Sequence, residues 1–414
     1  MVSRRTGETM TPVHDSVRRR VLAARRARAA ALALAGLLSA GGDAAASQLL
    51  APAVGVADGA LNGATVATPL TPAAAAFSNP AGLTALEDGA MSLGLGVATG
   101  HSGVHATLPP GYDTTSDFVA FAPEAGSVFR AESGLRYGFA LYGSLGSQFD
   151  SDADPSVGVD HDFYSSQGIS NLSVMAARPF GDRFSLGAEL TLVYGQVHLR
   201  YFQNAPYGFT VRGAGVQAMV GARYLVTDRI SVGLGYRTPG MVWGDGDNGG
   251  THQDVGLDLD LPAQVFAGVN ADVTDRLFVG LCGRWTDSSS FGNSIFHFAG
   301  TPQADIPFIR DATDEWRIGG GARYRLTDTL SLSGGLGYAD SIVPGSWVSP
   351  LLIDSSEWKI TVGLSWVVGR WTLDFTFGES PNEGRNVQAS EAVVFPGRYE
   401  IGGQIYMIGL RTTL

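Results

Sequence analysis

The chain is written in twos. Trp358, Ile360, Val362, Leu364, Trp366 and Val368 share one parity, and Lys359, Thr361, Gly363, Ser365 and Val367 the other. Past Gly369-Arg370 the alternation resumes, with Trp371, Leu373, Phe375 and Phe377 opposite Thr372, Asp374, Thr376 and Gly378. Successive side chains of a strand point to opposite faces, so period two predicts strands with one apolar and one mixed face. "AARPFGDRFSLGAEL", "ARYLVTDRISVGLGYR", "NADVTDRLFVGLCGRW" and "ARYRLTDTLSLSGGLGY" repeat the pattern around tight turns. Each reads as a β-hairpin. The turns at 181, 227, 274, 327 and 369 fall 46, 47, 53 and 42 residues apart, which requires a longer connection between hairpins. "FDSDADPSVGVDHDFYSSQG", "VWGDGDNGGTHQDVG" and "SFGNSIFHFAGTPQADIPFIRDATD" supply those connections and, being rich in Asp, Gly, Asn and Pro, are expected to be long polar loops.

Strands are expected near 90–99, 116–123, 134–145, 168–179, 183–201, 210–226, 229–238, 257–273, 276–286, 314–326, 329–339, 357–368, 371–378 and 398–413, which makes 14. An even count, short turns at one end and long loops at the other suit an antiparallel transmembrane β-barrel. Aromatic residues at strand ends suit the two membrane interfaces. A soluble sandwich alternates too, so the export signal matters. Arg18, Arg19, Arg20, Arg25, Arg26 and Arg28 form a basic stretch before the apolar run "AAALALAGLLSA". Cleavage after Ala46 is expected, with either Met1 or Met10 as the start. The apolar run is about a dozen residues, short of the roughly 20 of a spanning helix. The reading is therefore all-β: a signal peptide over 1–46, an N-terminal segment over 47–88 ahead of the strands, and a 14-stranded barrel over 89–414 in the bacterial outer membrane.

Composition narrows the function. A net charge of −11 offers no basic stripe for nucleic acid. The 56 glycines carry no Gly-X-Y period. Cys282 is the single cysteine and Lys359 the single lysine, so no internal disulfide forms. There is no Gly-x-Ser-x-Gly elbow and no His-Glu-x-x-His, and the histidines are scattered, so no enzyme is expected. Asp245, Asp247 and Asn248 lack the closing Glu of a calcium loop and are read as solvated. No metal or cofactor is expected. Cys282 shares the parity of Phe278 and Gly280 and is expected to face the lumen as a plain small side chain.

"AFSNPAGLTAL", about 30 residues after the expected cleavage site, and "DEWRIGGGARYRLTDTLSLSGGLGYADSIVP" give the mature chain a resemblance. With the strand count, it resembles the FadL/TodX-type outer-membrane transporters of long-chain fatty acids and hydrocarbons. The resemblance implies that the segment before the barrel is a hatch inside it, joined to the first strand at the Asn79-Pro80-Ala81 turn. It further implies passive uptake: capture at the extracellular side, an apolar lumen pocket, and hatch-gated lateral release beside a kinked third strand, "GLRYGFALYGSLG" here. A strand whose sequence ends in Leu414 departs from the usual terminal Phe.

A ligand carboxylate needs a cation. By parity Lys359 and Arg317 face the lumen and are the leading candidates, with Arg223, Arg323 and Arg325 weaker ones. The alternative is that these cations pair with Asp272 and Asp374 and fill the barrel. Expected partners are outer-membrane lipid and lipopolysaccharide, a hydrophobic solute and the barrel assembly machinery, with a monomer as the working unit. The rival readings are a general diffusion porin and a structural or adhesin barrel; few inward charges and a plug argue against the porin. Fatty acid and aromatic hydrocarbon stay open as substrates.

Overall fold

The computed structural model describes residues 51–413, apart from 160–161, 203–205, 249–252, 299–304, 308, 350–351 and 389–394. The expected signal peptide lies outside the described residues. Six long strands come first: β1 (Ala90–Ala106), β2 (Asp113–Arg130), β3 (Arg136–Ser151), β4 (Phe163–Phe180), β5 (Phe184–Phe202) and β6 (Pro206–Thr227). Then come β7 (Ile230–Arg237), β8 (Gly240–Asn248), β9 (Gln253–Leu261), β10 (Gln264–Asp272), β11 (Leu277–Thr286) and β12 (Ile295–Phe298). The last six are β13 (Ile306–Pro307), β14 (Glu315–Arg325), β15 (Leu330–Ala339), β16 (Glu357–Val368), β17 (Trp371–Val387) and β18 (Gly397–Thr413).

These 18 segments make 14 staves, because β7 with β8, β9 with β10, β11 with β12 and β13 with β14 are each one interrupted strand. All pairings are antiparallel, and β1 pairs with β18 from Ala90↔Thr413 to Ala106↔Gly397, which closes the barrel. Closure of this kind removes the open sheet edge that lipid does not tolerate. The parity reading holds: Trp358, Ile360, Val362 and Trp366 are exposed on the outer wall, while Lys359 and Thr361 are buried.

The connections depart from expectation. "VWGDGDNGGTHQDVG" is largely strand, in β8 and β9, and β3 and β4 extend far into the first acidic stretch. The physical reason is an inversion of the pattern. Within the membrane the outer face is apolar; beyond it that face meets water. In β9 the positions of Asp254, Asp258 and Asp260 alternate with buried Val255, Leu257, Leu259 and Leu261. Local polarity there reads as loop, although period two persists. The inward apolar residues join Phe291, Ile309, Ile342, Val343, Val348, Leu352 and Phe395 from the connections in one packed cluster. That cluster fills the barrel at the long-loop end.

Residues 51–89 occupy the lumen. Thr71 caps helix α2 (Pro72–Ser78) by accepting the Ala74 N–H, Pro72 sits in the first turn, and four alanines follow. A shorter turn of helix, α1 (Val56–Gly59), precedes it. Asn79 ends α2 and its side chain caps the 3-10 helix Pro80–Ala85 by accepting the Ala81 N–H at 3.1 Å. The Asn-Pro-Ala turn thus joins two helices, and the chain reaches β1 only at Ala90.

Candidate functional site

The lumen holds the N-terminal segment mainly by its backbone. Asn270 on β10 accepts the Ala67 and Thr68 N–H groups at 3.1 and 2.9 Å and donates to the Ala64 carbonyl at 2.7 Å. Asn79 donates to the Val66 carbonyl and to the Ala222 carbonyl of β6, each at 3.0 Å. Thr361 and Thr376 donate to the Ala60 and Val56 carbonyls. Strand glycines let the two backbones touch. A Cβ on Gly280 would overlap the Ala64 carbonyl, and one on Gly221 the Asn79 side chain. Part of the glycine excess is therefore room for the plug.

Above the segment lies a cavity of about 120 Å³. Residues 51–54 form one wall; Ala98, Phe118, Tyr142, Ile405 and Met407 contribute apolar surface; Lys359 and Glu124 are its charged side chains. It is suited to an apolar body with one polar end.

Charges gather on the wall from β11 to β16. Arg284 donates to both oxygens of Glu315, at 3.2 and 2.9 Å, and through its other amino group to the Ala51 carbonyl at 2.6 Å. Arg317 lies 3.5 Å from Glu315 and 3.4 Å from Glu357, and Lys359 Nζ lies 4.0 Å from Glu357. All five are at most 7% exposed. Among the described residues, three basic side chains stand against two carboxylates in this group. A buried excess of basic groups favours an anion beside it.

The wall is incomplete next to the cavity. β2 and β3 pair only from Ala125↔Leu141 to Arg130↔Arg136. Above that, among the described residues, no ladder pairing joins them, and the nearest links are Asp150 N–H to Ser116 Oγ at 2.8 Å and Thr114 to Ser151 at 2.7 Å. β3 bulges between Gly143 and Leu145. The Ser144 carbonyl, left out of register, accepts the Ala51 N–H at 2.9 Å. Phe118, Ala122, Pro123 and Glu124 of β2 and Tyr142, Gly143 and Gly146 of β3 all line the cavity, so it abuts the unpaired stretch.

A sequence model of the outer membrane protein transport protein family (OMPP1/FadL/TodX) matches residues 33–392. The chain belongs to this family. It is accordingly an outer-membrane protein with the fold of a hydrophobic-compound transporter. The fold is similar to that of a Pseudomonas aeruginosa FadL homologue, at 16% identity over 88% of this chain and 99% of that one, TM-score 0.74. The Pseudomonas putida toluene transporter TodX matches at 17% identity over 89% and 100%, TM-score 0.71. The Ralstonia pickettii toluene transporter TbuX matches at 18% over 88% and 99%, TM-score 0.68. No curated protein sequence matches the chain.

The candidates named from sequence separate on this FadL/TodX-type frame. Lys359 reaches the cavity; Arg317 sits behind the 51–54 wall in the charged group, facing a smaller void of about 20 Å³. Arg223 donates to the Ala67 carbonyl at 2.6 Å and so holds the plug. Arg323 is half-buried. Arg325 departs from its expected lumen place: it is exposed at the short-turn rim and donates to the Asp275 carbonyl. Of the alternative, pairing with Asp272 and Asp374, the structure gives Asp374 the hydrogen-bonded partner Arg411, whose Nη2 lies 2.9 Å away. Glu315 and Glu357 were missed although each stands two residues before a named cation on the same face. Glu124 was missed because Pro123 breaks the alternation and closed the expected strand one residue early.

Proposed function

We propose that this FadL/TodX-family member is a passive channel, without catalytic activity, for long-chain fatty acids or other hydrophobic compounds. Residues 51–89 act as its hatch. A solute captured at the extracellular end moves through the apolar cluster there, rests in the cavity above the hatch, and leaves sideways between β2 and β3. One observation carries the reading: the apolar cavity lies against a long stretch between β2 and β3 that, among the described residues, has no ladder pairing. Lateral exit suits an apolar solute, which then never has to dissolve in water. The filled lumen favours this reading over a general diffusion porin. Lys359 is the cavity's cation for a ligand carboxylate, with Arg317 adding charge from behind the wall.

The test is equilibrium binding of a labelled long-chain fatty acid to detergent-purified protein, beside Lys359→Ala and Arg317→Ala. A charged hydrogen bond is worth about 1.5–3 kcal/mol, so losing it should weaken binding by about ten- to a hundredfold. Saturable binding indifferent to both changes would move the site. If neither a fatty acid nor toluene binds, the channel reading fails.

A further inference from the structure

We propose that Glu124 and Tyr142 are positioning residues that couple the hatch to the wall between β2 and β3. The inference rests on the channel reading above and adds how its exit is controlled. Register places the two residues opposite each other, immediately above the last ladder pair, Ala125↔Leu141. They are the lower posts of the unpaired stretch. Both are buried, at 5% and 1% exposure, and both line the cavity.

Each post is tied to a different helix of the hatch. Glu124 accepts the Gly55 N–H at 2.6 Å and the Val56 N–H at 2.9 Å, binding the first turn of α1 through two hydrogen bonds. The Tyr142 hydroxyl lies 3.2 Å from the Arg237 Nη2, which also donates to the Ala76 and Phe77 carbonyls, both at 2.9 Å, at the end of α2. Arg237 is steadied by Glu189, 3.8 Å from its Nη1. The bulge adds a third tie two residues along, from Ala51 to the Ser144 carbonyl.

The hatch's bonds at Gly55, Val56 and Ala51 therefore end on Glu124 or on the bulge, and those at Ala76 and Phe77 reach Tyr142 through Arg237 of β7. Elsewhere the hatch is bound at positions where neighbouring strands are paired, the bonds of Arg130 and Arg136 to Asp88 and Leu86 included, and a bond lost there leaves a ladder-bonded residue in place. A bond lost at Glu124 or Tyr142 frees a residue with no ladder partner across the gap. A solute entering the cavity meets both posts, so displacing α1 or α2 and parting β2 from β3 become one event.

The test measures the gap directly and needs no ligand. Spin labels at Val119→Cys and Gln148→Cys, in a Cys282→Ser background, report the β2–β3 distance by pulsed electron resonance. Glu124→Gln and Tyr142→Phe should each add a population longer by roughly one strand spacing, ~5 Å. Thr376→Val is the control, because it removes a buried bond to the same α1 residue, Val56, from β17. It should leave the distance distribution unchanged. An equal change in Thr376→Val would reduce Glu124 to a general prop of the hatch and overturn the coupling. No change in either post variant, with heat-modifiability showing a folded barrel, would overturn it as well. A distance response in a protein that binds no hydrophobic solute would uphold the coupling and refute the channel reading.

Discussion

Lys359 Nζ lies 4.0 Å from Glu357 Oε1, two positions back on the same inward face of β16, and that carboxylate is the charged partner the structure gives it. Glu357 is shared: Arg317 approaches its Oε2 at 3.4 Å, and Ser380 donates to its Oε1. One carboxylate thus restrains two cations. Glu357→Gln should therefore raise affinity for an anionic amphiphile several-fold while lowering barrel stability, the opposite sign in binding from Lys359→Ala. Isothermal titration with a fatty acid, beside thermal unfolding, checks both arms. Weaker binding in Glu357→Gln would show that Glu357 orients Lys359 rather than competes for it.

Arg284 and Glu315 form the tightest ion pair of that wall. Removing one partner of a buried pair typically costs about 3–5 kcal/mol. Glu315→Gln is expected to lower the temperature at which the folded band is lost in heat-modifiability gels. It should also loosen Ala51, since Arg284 would no longer be held in place to donate to its carbonyl.

Gly280 stands against the Ala64 carbonyl, where any side chain would overlap it. Gly280→Val should dislodge that part of the hatch and leave the outer wall intact. The native thiol reports it: Cys282 Sγ is 4.0 Å from the Asn62 carbonyl, beneath the same segment. Its alkylation by a small maleimide should quicken at least about tenfold, the effect of a local opening cheaper by ~1.4 kcal/mol. An unchanged rate would mean that the segment bends around the new side chain.

Asn79 spends both amide hydrogens on buried carbonyls, of Val66 and Ala222. Asn79→Ala leaves two acceptors unsatisfied, at about 1–3 kcal/mol each. Faster proteolysis between residues 51 and 89, with the barrel resistant, is the expected result.

The connection between β15 and β16 carries a pH dependence. Asp354 accepts the Ile342 and Val343 N–H groups at 2.8 and 2.9 Å and the Ser341 hydroxyl at 2.9 Å. Burial outweighs these bonds and pushes its carboxyl up to about 6. A carboxyl raised above its unfolded value holds its proton better when folded. Its stabilising contribution is full below about pH 4 and is lost as pH climbs through 6. Amide exchange at Ile342 and Val343, corrected for intrinsic rates, should show opening becoming easier over that window. Asp354→Asn should flatten the trend.

Much of this was legible because it is local. The faces of β16 and β17 follow from alternation, and with them the inward direction of Lys359. The Asn79 cap follows from a polar side chain before proline. Illegible parts depended on neighbours distant in sequence. Glu357 matters because β14 lies two staves away and brings Arg317 to it. Arg325 has the right parity and the wrong depth, and parity carries no depth.

The sequence by itself determined the strands, their lipid and lumen faces and the closed all-β architecture, because a two-residue period and short turns act over a few residues at a time. The tertiary structure alone decided that β2 and β3 stop pairing at Ala125 and Leu141, that the hatch fastens to Glu124 and Tyr142, and that three cations meet two carboxylates beside a cavity. Those relations depend on which strands become neighbours and in what register, a property of the closed barrel that no single stretch of chain encodes.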